Sequence, residues 1–124
     1  RPDRPTQATW TAPRQLDRAD FARPDADWLV AVFSSSTCAS CAGMVEKANV
    51  LASASVAVEE LEARARPDLH RRYEIEAVPI TLVADSAGVV RAAFIGPATA
   101  TDLWAAVAEL RQPGSSPEPN LGHP

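Results

Sequence analysis

The sequence predicts a single α/β domain, and three observations carry that prediction. Trp28 to Phe33 is a continuous apolar run of the kind found in a strand buried on both faces of a sheet. The hydroxyl-rich stretch Ser34 to Thr37 follows it and leads into a segment with apolar residues at helical spacing, so the chain passes from strand through turn to helix. Two further apolar strands and a closing amphipathic segment continue the alternation. With 124 residues, 46% of them hydrophobic, there is ample material for one core and no room for a second domain.

Taken in order, residues 1–14 hold prolines, arginines and polar residues and read as a flexible leader. Residues 15–111 form the expected domain, opening with a short edge strand from Leu16 to Phe21 and a turn from Ala22 to Asp27, where proline and aspartates punctuate the chain. The helix after the first core strand is expected from Cys38 to about Ala52, with Met44, Val45, Ala48 and Leu51 facing inward. Val56 to Leu61 makes the next strand. Pro67 suits the first turn of a short helix reaching Tyr73, whose inward residues are Leu69 and Tyr73. Strands at Ile80 to Ala84 and Val89 to Ile95 flank a turn at Asp85 to Gly88. Thr99 or Thr101 caps the last helix, with Leu103, Val107 and Leu110 on one face and Trp104 beside them. Residues 112–124 have the composition of a disordered tail.

The net charge of -4 and a pI near 5.1 argue against a nucleic-acid partner, and no basic run alternates with aromatics. No apolar run reaches the roughly 18 residues that a membrane span needs. The chain opens on Arg1 rather than methionine, so a preceding tag, signal or membrane anchor is expected; a cytoplasmic domain and a tethered one both fit.

The chemistry concentrates in Cys38-Ala39-Ser40-Cys41, the only cysteines of the chain. A cysteine at a helix N-terminus meets unpaired N–H groups and the positive end of the helix dipole, which favour thiolate over thiol. Cys41, one turn further in, is expected to be buried. One exposed acidic sulfur and one sheltered sulfur suit dithiol–disulfide exchange, in which the first attacks and the second resolves the mixed disulfide.

With these residues in view, the stretch from Trp28 to Arg111 resembles the thioredoxin superfamily. The features that carry the likeness are the dithiol after an apolar strand, the pair Val78-Pro79 after a short helix, and the two strands, Gly96 and helix that close the order. The resemblance implies a three-layer α/β/α sandwich with a mixed central sheet and an abbreviated N-terminal part. It implies thiol–disulfide exchange with protein substrates, maintained by a reductase or oxidant partner, with no cofactor beyond the dithiol. It also implies that Cys38 and Cys41 are catalytic, that Pro79 is a cis-proline shaping the site and keeping it free of metal, and that the Val78 backbone pairs with substrate main chain.

The sequence departs from the family's pattern at several points. Thr37 replaces the usual tryptophan, Ala39-Ser40 replaces Gly-Pro, and Glu46 replaces a helix proline. Val32 occupies the position of a buried aspartate, while Glu60 falls where the neighbouring strand usually carries lysine. If Glu60 shares a face with Val56 and Val58 it is partly buried, with a raised pKa suited to proton exchange with Cys41; otherwise it is a solvent-facing charge. Ser40 can offer its hydroxyl to Cys38. His70 reads as a solvated helix residue, and two cysteines with two scattered histidines fall short of the four ligands of a structural zinc site. A thioredoxin-fold binding or scaffold module with a static disulfide stands as the alternative.

Overall fold

The computed structural model describes residues 11–115 of the chain. Four strands, β1 (Trp28–Ser34), β2 (Val56–Glu62), β3 (Ile80–Ala84) and β4 (Val90–Ile95), form one sheet in the order β2-β1-β3-β4. β1 pairs with β2 in parallel and with β3 antiparallel, and β3 pairs with β4 antiparallel, so the sheet is mixed. Three helices, α1 (Cys41–Asn49), α2 (Pro67–Arg72) and α3 (Ala100–Arg111), complete the expected α/β arrangement.

β1 and β3 lie at the centre of the sheet, which explains why their sequences are apolar on both faces. Leu29, Ala31 and Phe33 pack with Leu61, Leu69, Ile80 and Leu82 on the α2 side. On the opposite side Val30, Val32, Val56 and Val83 meet Met44 and Ala48 of α1 and Leu103 and Val107 of α3. Each large apolar side chain removed from water in these layers stabilises the fold by about 2–3 kcal/mol before conformational entropy is counted. Thr99 caps α3, its hydroxyl accepting from the Asp102 N–H at 3.0 Å.

The N-terminal region corrects the sequence reading. Leu16 to Phe21 is not an edge strand: Gln15 makes an isolated bridge to Val89, and Arg18–Asp20 forms a 3-10 turn with the Asp17 side chain accepting from the Ala19 N–H. The physical reason is Arg18, a charged residue that turns inward and is 7% exposed. Its guanidinium donates to the carbonyls of Ala26, Asp85 and Arg23 at 2.9, 3.1 and 3.0 Å, holding the loop onto the turn between β3 and β4. Leu16, Phe21 and Ala26 then close the α2 side of the core, and Tyr73 stacks on Phe21. The last leader residues join this surface: Ala12 packs against the core and the Arg14 carbonyl accepts from the Val90 N–H. Residues 1–10 of the leader and residues 116–124 of the expected tail lie outside the described residues.

α1 is shorter than expected at both ends. It begins at Cys41, so Cys38 stands in the turn that precedes the helix, and it stops at Asn49 rather than near Ala52. Trp104 of α3 donates its indole N–H to the Lys47 carbonyl, and Lys47 Nζ donates to the Ala98 carbonyl, tying α1 to α3 and its leading loop.

Candidate functional site

β1 delivers the chain to the dithiol. Its last residue, Ser34, is 1% exposed, and the turn that follows is held by its own hydroxyls: Ser35 Oγ and Thr37 Oγ1 lie 3.0 Å apart, and the Cys38 N–H donates to the Ser35 carbonyl. Cys38 and Cys41 form a disulfide with Cα atoms 5.5 Å apart, closing the turn against the start of α1. Cys38 is half-buried, whereas Cys41 is 2% exposed. The two cysteines therefore differ in their access to solvent, with Cys41 the buried one, as its place one turn further in led us to expect.

Ser40 occupies the N-cap position of α1 without making a side-chain cap. Its Oγ lies 3.8 Å from Cys38 Sγ, and because a disulfide sulfur carries no proton, the hydroxyl is the donor. The first turn of a helix leaves N–H groups unpaired, so Cys38 faces the positive end of α1.

Glu62 belongs to the same loop system and was missed in the sequence. Its Oε2 accepts from the Ser36 N–H at 3.1 Å, and its Oε1 accepts from the N–H groups of Arg64 and Ala65, both at 3.0 Å. One carboxylate thus ties the dithiol turn to the loop leading into α2. The Arg64 N–H, followed by those of Ala65 and Ser36, holds the Glu62 carboxyl below its ordinary pKa against a smaller opposing effect of burial. An acidic residue at a strand end with loop amides two and three residues on is a local signal; the bond to Ser36 crosses 26 residues and left none.

Glu60 shares the α1-side face with Val56 and Val58, and register puts it beside Val32. The residue is exposed, however, so the partial burial expected from strand alternation does not occur. β2 is an edge strand at this point, and the carboxylate reaches out to accept from Ser34 Oγ at 2.6 Å. Val32 itself is fully buried and apolar.

The Val78–Pro79 peptide bond is cis, and the Gly96 N–H donates to the Pro79 carbonyl at 2.8 Å. Gly96 has φ +89°, a left-handed conformation in which the missing Cβ relieves strain. Val78 is half-buried and Ala39 is exposed. His70 corrects another expectation: it is not a solvated helix residue but packs edge-on against Phe33, with its Nε2 2.7 Å from the Leu61 carbonyl. A carbonyl can only accept, so Nε2 carries the proton. Among the described residues no three histidine, cysteine or acidic side chains are grouped to hold a metal ion, and no helix is long and apolar enough to cross a membrane.

No family model matches the chain, and no curated protein matches it. Solved structures do. The germline-specific thioredoxin Deadhead of Drosophila melanogaster is 23% identical, with 70% of this chain and 84% of that chain covered at a TM-score of 0.60. Oxidised mitochondrial thioredoxin 3 of Saccharomyces cerevisiae is 24% identical, with 69% and 81% covered and a TM-score of 0.57. A thioredoxin variant of Halobacterium salinarum is 20% identical, with 64% and 71% covered and a TM-score of 0.54. The likeness shows the thioredoxin fold, here with a Cys-x-x-Cys disulfide at the start of α1.

Proposed function

We propose that residues 15–111 form a thiol–disulfide oxidoreductase domain acting on protein thiols or disulfides. The observation that supports it most is the unequal exposure of the two sulfurs at the N-terminus of α1, with Cys38 accessible and Cys41 2% exposed. In the reducing direction the Cys38 thiolate attacks one sulfur of a substrate disulfide, forming a mixed disulfide and releasing the other substrate sulfur as thiolate. Cys41 then attacks Cys38 Sγ, closing the intramolecular disulfide and releasing the second substrate thiol. Two electrons pass to the substrate, and an external dithiol reductant restores the pair. The oxidising direction runs the same steps in reverse.

In this reading Pro79 shapes the site, and the Val78 backbone pairs with an extended substrate segment. Glu60 is a candidate for proton exchange with Cys41 as an exposed carboxylate relayed through Ser34, rather than as a buried acid. Glu60→Gln tests that role: a thiol-exchange pH profile identical to that of the unmodified protein removes it. Thr37 in place of an aromatic side chain implies weak contact with partners that need one.

A second reading, a binding module with a static disulfide, is favoured by one observation: Val32 places no ionisable group under α1. Equilibration in graded dithiothreitol or glutathione buffers with thiol trapping separates the two. A potential near about -270 mV marks a reductant and one near about -120 mV an oxidant, whereas a pair still oxidised below about -300 mV is a structural disulfide.

A further inference from the structure

On the α1 side of the sheet, at the end nearest the dithiol, register lines up Glu60 of β2, Val32 of β1, Thr81 of β3 and Phe94 of β4. β3 alternates, with Ile80, Leu82 and Ala84 packed on the α2 side and Val83 on the α1 side, so Thr81 also belongs to the α1 side. Met44 and Ala48 of α1 pack on this face, and Cys41, buried and three residues before Met44, falls on the same helix stripe at the end joined to β1 by the six-residue turn Ser35 to Ser40. Thr81 is 0% exposed, and its Oγ1 makes no hydrogen bond among the described residues. A buried hydroxyl without a partner is costly and uncommon in native proteins, so it calls for a ligand or a second state.

The second state is present in the chemistry of the site. The structure holds the Cys38–Cys41 disulfide, whose sulfurs are neutral and poor acceptors. Reduction gives Cys41 a thiol that can ionise, and the thiolate is a far better acceptor than a disulfide sulfur, at a position 2% exposed where bulk water is scarce. The other residues in the row do not serve it: Val32 and Phe94 are apolar, and Glu60 already accepts from Ser34. The inward residues of α3 on this face, Leu103 and Val107, are apolar as well, leaving Cys38, Glu60 and Glu62 as the ionisable groups of this end, and the Glu62 carboxylate is held by the N–H groups of Ser36, Arg64 and Ala65.

We infer that Thr81 is the hydrogen-bond donor to the reduced Cys41 sulfur, its hydroxyl unpartnered in the disulfide form and engaged in the dithiol form. Thr81 thereby stabilises the reduced state from the position beside Val32. The inference rests on the exchange reading for its biological meaning, but its physical content can be read without turnover.

The test places Thr81→Val and Thr81→Ser in a Cys38→Ser background, where Cys41 is the sole thiol, and follows its ionisation by ultraviolet thiolate absorbance. Thr81→Val keeps the side-chain shape and removes the hydroxyl; it is expected to lower the thiolate fraction on the rising limb about fivefold, while Thr81→Ser matches the parent. In the two-cysteine protein, Thr81→Val is expected to move the glutathione equilibrium about fivefold toward the disulfide, about 20 mV. A merely structural threonine would alter unfolding of the oxidised protein and leave the Cys41 titration in place. An unchanged Cys41 titration in Thr81→Val overturns the inference even if the wild-type pair exchanges normally. Failure of the wild-type disulfide to exchange with dithiothreitol overturns the functional reading instead, with the Cys41 titration still reporting on Thr81.

Discussion

The two faces of the sheet are closed in different ways. On the α1 side two regular helices lay apolar stripes over Val30, Val32, Val56 and Val83, and the dithiol sits at the end of one stripe. On the other side only α2 is regular, and an irregular N-terminal segment completes the cover through directed polar contacts. Arg18 donates to three carbonyls, Arg23 donates to the carbonyls of Val56 and Ala54, and the Tyr73 hydroxyl accepts from the Asp17 N–H and donates to Asp20. The difference teaches that a face closed by packing tolerates little loss of volume, whereas one closed by hydrogen bonds depends on a few atoms far apart in sequence.

The largest expected effect is on the packed face. Met44→Ala leaves a cavity beneath α1 and is expected to cost about 2–5 kcal/mol in urea unfolding with an unchanged denaturant slope. A loss well under 1 kcal/mol would mean that this face collapses freely. Next comes Gly88→Ala on the opposite face. Gly88 has φ +84°, and a Cβ there would drive into the Leu16 carbonyl oxygen, while the Gly88 carbonyl accepts from the Leu16 N–H. A loss of about 1–3 kcal/mol is expected, accompanied by faster amide exchange at Leu16 and Val90.

Tyr73→Phe removes one hydroxyl from the polar seam and is expected to cost about 1 kcal/mol. Burial, followed by the bond to Asp20, raises the Tyr73 pKa above the ordinary 10.0. A raised acid pKa contributes stability below the unfolded value and loses it as pH rises through the folded one, so the wild type should weaken in alkali by a limb that Tyr73→Phe lacks. The smallest effect concerns Glu62. Its folded pKa is lowered below the ordinary 4.5, so its contribution is full above that value and disappears as pH falls through the folded one. The protection factor of the Ser36 amide should therefore fall in acid in the wild type, and Glu62→Gln should show the lower protection already at neutral pH. Equal protection in both proteins at neutral pH would remove Glu62 from the dithiol turn.

The contrast also separates what could be read in the chain from what could not. β1, β2, β3 and α3 were legible to within a residue or so, because strand and helix periodicities are short-range signals present in Trp28 to Phe33 or in Leu103, Val107 and Leu110. The cysteine pair was equally legible, since three residues of spacing at a strand–turn–helix junction is a local property. The start of α1 was misjudged by one turn because the hydroxyls of Ser35 and Thr37 satisfy the backbone before the helix begins.

Arg18 and His70 carry no such local signal. Arg18 turns inward because carbonyls at Arg23, Ala26 and Asp85, up to 67 residues away, converge on it, and His70 is drawn in by Phe33 and the Leu61 carbonyl. Glu60 shows the reverse case: alternation named its face correctly, but only the strand order, with β2 at the edge, decided that it is exposed. The sequence by itself therefore determined the α/β order, the apolar faces and the dithiol, all of which follow from spacing along a few turns or pleats. Tertiary structure alone decided which polar atoms are satisfied and that the Thr81 hydroxyl finds no partner among the described residues, because those outcomes depend on groups brought together across the whole chain.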